Sequence, residues 1–408
     1  MELARDEQAL LDAGKRTFPF PELGGWYTEA EVDALTRALR ESMDWRVGFH
    51  GPEIEQFERE FAAYCGVKHA LAVSSCGTGL DAAMQALELG PDDEVIVPAI
   101  TYMATALCVI GVGARVVLAE IDPATFNVDP NDVARKMGPR TRAILPVHNN
   151  GLSADIDALL DLAARRPHPQ HGPVPVIGDA ARACGGGYKG TRVGKRGAMN
   201  VFSFQTTKNM TTLGEGGMVT TDDDAYAASV KSGRAFGWSL KRWGTNYRMT
   251  KLQAVAGRVQ LRRLDAMNDA RRARVAALAS LLQDVPGLTL PAEPPGYRHV
   301  WYGYTLLLDA AWAGPPRNQV VDRLIKQYGV GTWIMNMALG DYDSVLRTLG
   351  HSPDDTPVST DIGRRLFCPA LHPLMTDDDL RYIAAAIKAS MAAVAADMGL
   401  LVAVRGHA

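Results

Sequence analysis

Seven short apolar runs, each ending in small or polar residues, are the feature that most limits how this chain can fold. Most of the runs are rich in β-branched residues and apolar at nearly every position. That pattern is typical of strands buried on both faces in a mainly parallel sheet. The runs lie at 70–75, 94–98, 114–120, 143–148, 174–179, 200–205 and 217–221.

Helical patterns lie between many of these runs, most clearly at 79–89, 103–113 and 155–166. Alternating strands and helices predict an α/β fold: a large domain of three layers, α/β/α, around a mainly parallel sheet of seven strands. Ligands of such sheets bind beyond the carboxyl ends of the strands. Residues at those ends are therefore the first candidates for function.

The pattern changes in the second part of the chain. Residues 246–282 predict one long helix or a kinked pair, and a strand-like run follows at 300–309. Two further helices are predicted near 317–328 and 376–396, which together indicate a smaller α+β domain. The predicted division is an N-terminal arm over 1–24, a large domain over 25–262 and a small C-terminal domain over 263–408.

Composition excludes several classes of protein. The net charge of −3 over 408 residues argues against a nucleic-acid surface. There is no apolar run of about 18 residues and the first residues are charged, so we expect no membrane partner and a cytoplasmic location. The five cysteines are scattered without a CxxC pair, so neither a metal site nor a disulfide framework is expected.

Lys208 lies in "SFQTTKNMTTLGEGG", shortly after a predicted strand and among hydroxyl-bearing residues. It could be a surface lysine, part of a phosphate loop, or a lysine that forms a covalent bond. A phosphate-binding P-loop places its glycines before the lysine, whereas Gly214, Gly216 and Gly217 follow it here. A reactive amine needs a fixed and partly desolvated position, which a turn tied to the sheet supplies.

Three other strand ends carry residues suited to one cofactor. Asp179 ends the strand at 174–179 and would either cap a helix or face a positively charged ring nitrogen. Gly77 and Thr78 lie in a turn that opens a helix, where backbone N–H groups bind phosphate. Tyr102 follows the next strand and could stack on an aromatic ring. Each signal alone is weak, because packing or capping explains it equally well.

Taken in order, these motifs resemble the DegT/StrS family of sugar and cyclitol aminotransferases, a branch of the fold-type I enzymes that use pyridoxal 5′-phosphate (PLP). The resemblance extends from "GWYTEAEVDAL" to "LHPLMTDDDLRYI", nearly the whole chain. Its most specific parts are "FSFQTTKNMTTLGEGGMVTTDD" and "GTNYRMTKLQA".

The resemblance implies a role for each matching residue. Lys208 would hold PLP covalently and carry protons, and Asp179 would face the pyridine nitrogen. Tyr102 would lie over the ring. Gly77, Thr78 and Ser203 would bind the phosphate. Asn246 would reach the cofactor of a neighbouring subunit, which implies a homodimer with active sites at the interface.

The chain departs from the family pattern at several positions. Arg182 stands where relatives have His or Gln and could contact the cofactor's phenolate oxygen or a carboxylate. Asn149 and Asn150 replace the Leu-Tyr that relatives often have. Gln205 is similar to the residue of cyclitol and aminobenzoate branches. His148, Asn149, Gln205, Arg248 and Tyr302 are candidate substrate contacts, although packing or capping would also explain them.

Transamination is the function that the resemblance implies. Glutamate or glutamine would convert PLP to pyridoxamine 5′-phosphate, and a keto-sugar or keto-cyclitol would then accept the amine. The presence of Lys208 argues against the dehydratase branch, which has His at this position. Two alternatives stay open: another PLP reaction on an amino acid or small metabolite precursor, and a regulatory protein that kept the fold.

Overall fold

The computed structural model describes residues 3–335 and 337–399. The helices are α1 (Arg5–Asp12), α2 (Glu29–Ser42), α3 (Glu53–Cys65), α4 (Cys76–Ala86), α5 (Ala104–Gly111), α6 (Pro130–Lys136), α7 (Ile156–Arg165), α8 (Asp224–Gly233), α9 (Lys251–Leu282), α10 (Pro315–Lys326), α11 (Leu339–Tyr342), α12 (Ser344–Thr348), α13 (Pro357–Arg365) and α14 (Asp377–Asp397). The strands are β1 (His69–Val73), β2 (Glu94–Pro98), β3 (Arg115–Ala119), β4 (Thr141–Ile144), β5 (Ile177–Asp179), β6 (Gly187–Tyr188), β7 (Thr191–Arg192), β8 (Met199–Ser203), β9 (Gly217–Thr221), β10 (Leu288–Thr289), β11 (Tyr297–Arg298), β12 (Leu306–Leu308), β13 (Thr332–Trp333) and β14 (Leu366–Pro369).

Seven strands form the central sheet in the order β3-β2-β4-β5-β8-β9-β1. Hydrogen-bonded ladders join β3-β2-β4 and β5-β8-β9-β1, and two parallel bridges, Ile144 to Val176 and Val147 to Asp179, connect the two parts. Strand β9 runs antiparallel to both neighbours, while the β3-β2-β4 and β5-β8 pairs are parallel. The predicted mainly parallel sheet of seven strands is confirmed.

The sheet is buried on both faces because successive side chains of each strand enter different cores. On β2, Val95 and Val97 pack with α4, α5 and α8, whereas Ile96 faces α6 and α7. On β8, Val201 joins the first core, and Phe202 joins a third cluster under α3 and α9. This alternation explains why the strands are apolar at nearly every position and gives the predicted α/β/α layers.

The second core surrounds an antiparallel sheet in the order β10-β12-β14-β13, with α10 and α14 packed beside it. Helix α9 links the two parts of the molecule: Leu264 lies in the cluster under the large sheet, and Leu278 lies in the core of the small one. The N-terminal arm packs on this small core, since Glu7 of α1 pairs with Lys388 of α14. The predicted division at 262/263 falls inside α9 and stays a prediction.

Most element positions agree with the sequence-based expectation, and one differs. Residues 246–282 contain a single helix that begins at Lys251. The run at 300–309 forms a strand only over Leu306–Leu308. Before that strand Trp301 has a left-handed backbone (φ +48°), and the N–H groups of Val300 and Gly303 donate to the carbonyls of residues 151 and 150. Over the described ranges, every helix is too short or too polar to cross a membrane.

A matched pair of substitutions tests the packing of the cluster under α3 and α9. Leu264 is fully buried and Leu349 is 59% exposed. Leu264→Ala is expected to lower the free energy of unfolding by about 2–5 kcal/mol, because it leaves a cavity. Leu349→Ala should cost less than about 0.5 kcal/mol. Urea unfolding measured by circular dichroism compares them, and equal losses would contradict the packing described.

Candidate active site

A cavity of about 400 Å³ opens at the carboxyl ends of β2, β5 and β8. The start of α4 forms one wall, and the segment before β12 forms another. The side chains that matter for chemistry come from six separate stretches of sequence. The lining of the cavity includes Ser75, Cys76, Gly77, Thr101, Tyr102, Asp179, Arg182, Ser203, Gln205, Thr207, Lys208, Glu215 and Tyr302.

Lys208 projects into this cavity from a tight turn that follows β8. Its backbone N–H donates to the Gln205 carbonyl at 2.9 Å. The Thr207 backbone N–H donates to the Gln205 side-chain oxygen, also at 2.9 Å. The Nζ atom of Lys208 donates to the Tyr302 hydroxyl at 3.2 Å and lies 4.3 Å from that ring's centroid. The lysine therefore has a fixed position rather than a solvated one.

The N-terminal segment holds the outside of the same turn. The Gly24 N–H donates to the Thr206 carbonyl at 3.0 Å, and the Thr206 hydroxyl donates to the Glu22 carbonyl at 2.8 Å. A Cβ atom on Gly24 would overlap the carbonyl oxygens of Thr207 and Lys208. Only glycine fits this approach, and nothing in the local sequence pattern pointed to it.

Asp179 is buried at the end of β5. One carboxylate oxygen accepts the Thr105 hydroxyl at 2.8 Å, and the other accepts the Ala181 N–H at 3.0 Å. The second bond closes a turn, as the capping interpretation required, but no helix begins there. Two hydrogen bonds hold the carboxylate in place while it lines the cavity, so it can also face a ligand.

The start of α4, where the sequence predicts phosphate binding, lies beside the cavity. Ser75 caps the helix, because its hydroxyl accepts the Thr78 N–H at 3.1 Å and its carbonyl accepts the Gly79 N–H at 3.1 Å. The first two helical residues, Cys76 and Gly77, border the cavity. The Thr78 hydroxyl is engaged in the cap, where it donates to the Ser75 carbonyl at 2.9 Å.

Tyr102 and Ser203 lie on different sides of the cavity. Tyr102 is 60% exposed, which leaves its ring available to a ligand. Ser203 is buried at the end of β8, where its hydroxyl accepts the Gln205 N–H at 3.3 Å. The strand ends therefore bring Tyr102, Asp179, Ser203 and Lys208 into one cavity.

Arg182 joins two parts of the site. It is buried, and its Nη1 donates to the Asn149 side-chain oxygen at 2.6 Å. Its guanidinium carbon lies 5.8 Å from the centroid of the Tyr302 ring. Asn149 is itself held by the Asn127 side chain and the Phe126 carbonyl. The two positions that depart from the family pattern, Asn149 and Arg182, are thus joined by a direct hydrogen bond.

Tyr302 has an unusual electrostatic environment. Burial pushes the pKa of its hydroxyl up, but the positive charges of Lys208 and Arg182 push it down, helped by the hydrogen bond that Lys208 donates. The net effect is a pKa below the ordinary tyrosine value. Glu215 shows the opposite balance: burial raises the pKa of its carboxyl more than Lys208 lowers it.

Other candidates lie outside this cavity. His148 is buried beside Ala154 and Asn200, and burial lowers the pKa of its imidazole to about 4. Asn246 and Arg248 are exposed and contact each other at 2.9 Å, with Arg248 over the Phe236 ring. Asn150 sits in a buried turn with a left-handed backbone (φ +54°).

Sequence reasoning missed some residues of the site. Thr105, which holds Asp179, lies inside a helix. Cys76 and Glu215 also line the cavity, but the sequence motifs that contain them indicated no role for either. Burial raises the pKa of the Cys76 thiol well above its ordinary value, so the thiol stays protonated. The one available sequence signal for Thr105 is its position: it is a second hydroxyl residue, one helical turn after Thr101.

Comparison with known proteins gives a consistent picture. The model of the DegT/DnrJ/EryC1/StrS aminotransferase family matches residues 29–388. The dTDP-3-amino-3,4,6-trideoxy-alpha-D-glucose transaminase of Streptomyces venezuelae is 40% identical over 294 residues, covering 71% of this chain and 75% of that protein. The spore coat polysaccharide biosynthesis protein SpsC of Bacillus subtilis is 36% identical over 354 residues, covering 83% and 89%.

Solved structures agree with the sequence relatives. The structure of 3-amino-5-hydroxybenzoic acid synthase has a TM-score of 0.82 at 31% identity, covering 93% of this chain and 100% of that one. The S. venezuelae DesV structure has a TM-score of 0.78 at 33% identity, covering 88% and 94%. The chain is therefore an enzyme of the transaminase type and belongs to the DegT/DnrJ/EryC1/StrS aminotransferase family.

Proposed function

We propose that this enzyme moves an amino group from glutamate or glutamine to a keto group on a nucleotide-linked sugar or a cyclitol, with PLP held by Lys208. One observation carries the proposal: the Lys208 amine and the Asp179 carboxylate line one cavity, beside the start of α4. An amine for covalent attachment, an anion for a ring nitrogen and helix N–H groups for a phosphate form the set that PLP requires.

The residues present fit this cofactor. The N–H groups of Cys76 and Gly77, with the Ser203 hydroxyl, would bind the phosphate. Asp179 would pair with the ring nitrogen, and the exposed Tyr102 ring would cover one face. When bound, PLP supplies an electron-accepting ring that stabilises negative charge on a substrate carbon.

The chain's own residues account for the remaining requirements. Lys208 would hold the cofactor covalently through its amine, and the same amine would accept and return a proton during the transfer. Asp179 keeps its orientation through Thr105 and Ala181, so its negative charge is fixed before the ligand arrives. Such preorganised charge is a large contribution to catalysis.

The acceptor class is supported by relatives and by the site. The relatives named above include a transaminase of a dTDP-linked amino sugar and an aminobenzoate synthase. Gln205 and Arg182 give the cavity wall several hydrogen-bond donors, which suits a hydroxyl-rich acceptor. Arg182 could equally hold a carboxylate by a bidentate pair, which favours testing carboxylated cyclitols alongside sugars.

A half-reaction tests the proposed transfer. Glutamate or glutamine, added to the PLP-loaded enzyme without an acceptor, should convert the bound cofactor to pyridoxamine 5′-phosphate with one equivalent of 2-oxo acid. Chromatography of the released cofactor measures this. Addition of keto-sugar nucleotides or keto-cyclitols should then restore PLP and give an aminated product by mass spectrometry.

Two variants act as controls for this experiment. Lys208→Ala should show no conversion, whereas Lys326→Ala, at a side chain that is 74% exposed on α10, should behave like wild type. Failure of every donor to form pyridoxamine 5′-phosphate would contradict transamination. Loss of another group from an amino acid would instead support a different PLP reaction, and binding without any turnover would support a regulatory role.

A homodimer is part of the same proposal. Asn246 and Arg248 lie outside this chain's own cavity, close to a group of exposed aromatic residues. Trp238 is 88% exposed and Phe49 shares its groove. Exposed apolar patches of this kind indicate an interface. In the proposed dimer, this patch is covered and Asn246 reaches the phosphate in the partner's cavity.

Sedimentation velocity tests the dimer. Wild type should sediment with twice the 44.0 kDa mass of one chain. Trp238→Glu should shift the population toward monomer, because it places a charge in the apolar patch. Leu349→Glu, at an exposed residue just after α12 and outside this patch, should leave the mass unchanged. A monomeric wild type, or a Trp238→Glu protein that stays dimeric, would contradict the proposed interface.

A further inference from the structure

A short chain of hydrogen bonds leads away from the Lys208 amine. The Thr207 backbone N–H can only donate, so the Gln205 side-chain atom that it contacts at 2.9 Å is the carbonyl oxygen. That oxygen can only accept. The Thr207 hydroxyl, 2.7 Å from it, must therefore donate its single proton to Gln205.

This assignment fixes the direction of the next bonds. The Thr207 hydroxyl has used its proton, so it accepts from the Tyr302 hydroxyl, which lies 3.2 Å away. The Tyr302 oxygen in turn accepts an N–H from Lys208 Nζ at 3.2 Å. Each group donates to the next in the order Lys208, Tyr302, Thr207, Gln205. The Thr207 backbone N–H holds the Gln205 side chain at the end of this chain of hydrogen bonds.

Positive charge surrounds the Tyr302 oxygen. Lys208 donates to it from the turn after β8, the Arg182 guanidinium carbon lies 5.8 Å from the ring centroid, and Arg271 on α9 interacts with Tyr302 electrostatically. Tyr302 raises the pKa of Arg271, although burial lowers that pKa more, to about 10. Three cations around one phenol favour its ionised form. The phenol can therefore lose its proton more easily than an isolated tyrosine.

We propose that Tyr302 and Lys208 form a coupled acid–base pair that passes one proton between the phenol oxygen and the lysine amine. The step breaks an N–H bond of the lysine ammonium and forms the O–H bond of Tyr302, which turns ammonium and phenolate into amine and phenol. No other reactant is needed. The inference rests on the proposed function for its catalytic meaning, but the pair itself exists without the cofactor.

The pair has a specific use in proton transfer. When Lys208 is a neutral amine, donation of one N–H to Tyr302 fixes the rotation of the amino group. When the amine has taken a proton, the phenolate can hold that proton inside the site until it is returned. Tyr302 thus acts on the reacting nitrogen directly, and Gln205 and Thr207 are positioning residues for Tyr302.

Tyrosinate absorbance tests the pair in the full chain freed of cofactor. Of the 12 tyrosines, wild type should show one that ionises below the ordinary pKa of about 10. Tyr302→Phe should lose that early transition. Tyr304→Phe should keep it, because Tyr304 is buried and its hydroxyl has no hydrogen-bond partner among the described residues.

Lys208→Ala provides a second and independent reading. Loss of the positive charge should move the early tyrosine transition to higher pH, whereas Lys326→Ala should not move it. An unchanged transition in Lys208→Ala, or an early transition that persists in Tyr302→Phe, would overturn the proposal. Both variants bear on the same pair, so poor folding of one does not remove the test.

Steady-state kinetics of the loaded enzyme test the catalytic meaning. Tyr302→Phe should lower kcat by about 100-fold with a KM change below about threefold, since the ring and its packing remain. It should also alter the pH profile of kcat, which Tyr304→Phe should leave intact. A wild-type kcat in Tyr302→Phe would overturn the role. Absence of transamination with an intact early transition would instead count against the proposed function alone.

Discussion

The site depends on how rigidly the turn after β8 is held. This turn carries Lys208 and is fixed from three sides: by Gln205 within the turn, by the Gly24 segment outside it, and by Tyr302 across the cavity. Each contact comes from a different part of the sequence. A long and flexible side chain thereby gains one position, which covalent and proton-transfer chemistry requires.

The large sheet sets the second constraint, because it brings distant residues to one edge. The carboxyl ends of β5 and β8 place Asp179 and Lys208 in the same cavity, and the parallel pairing of these strands keeps their relative height. Thr105 on α5 then fixes the carboxylate. Charges on a rigid sheet edge do not have to reorganise during the reaction.

Much of the fold and part of the candidate site could be predicted from the sequence, and the contacts that could not be predicted join distant parts of the chain. Buried strands need apolar residues on both faces, so all seven strands were visible as apolar runs. The antiparallel direction of β9 was not, since a short strand carries no direction in its composition. Gly24 near Lys208 and the contact between Tyr302 and Lys208 join residues far apart in the chain, and only the folded structure shows such contacts. The sequence alone predicts Tyr302 as a substrate contact, because it does not show which residues lie beside it.

The central claim is that Lys208 forms the covalent bond to PLP. Borohydride reduction of the loaded enzyme, followed by proteolysis and peptide mass spectrometry, tests it most directly. We predict one cofactor per chain, attached to the peptide that contains Lys208, and no attachment in Lys208→Ala. A label on another lysine, or on none in an enzyme that binds PLP and turns over, would contradict the account.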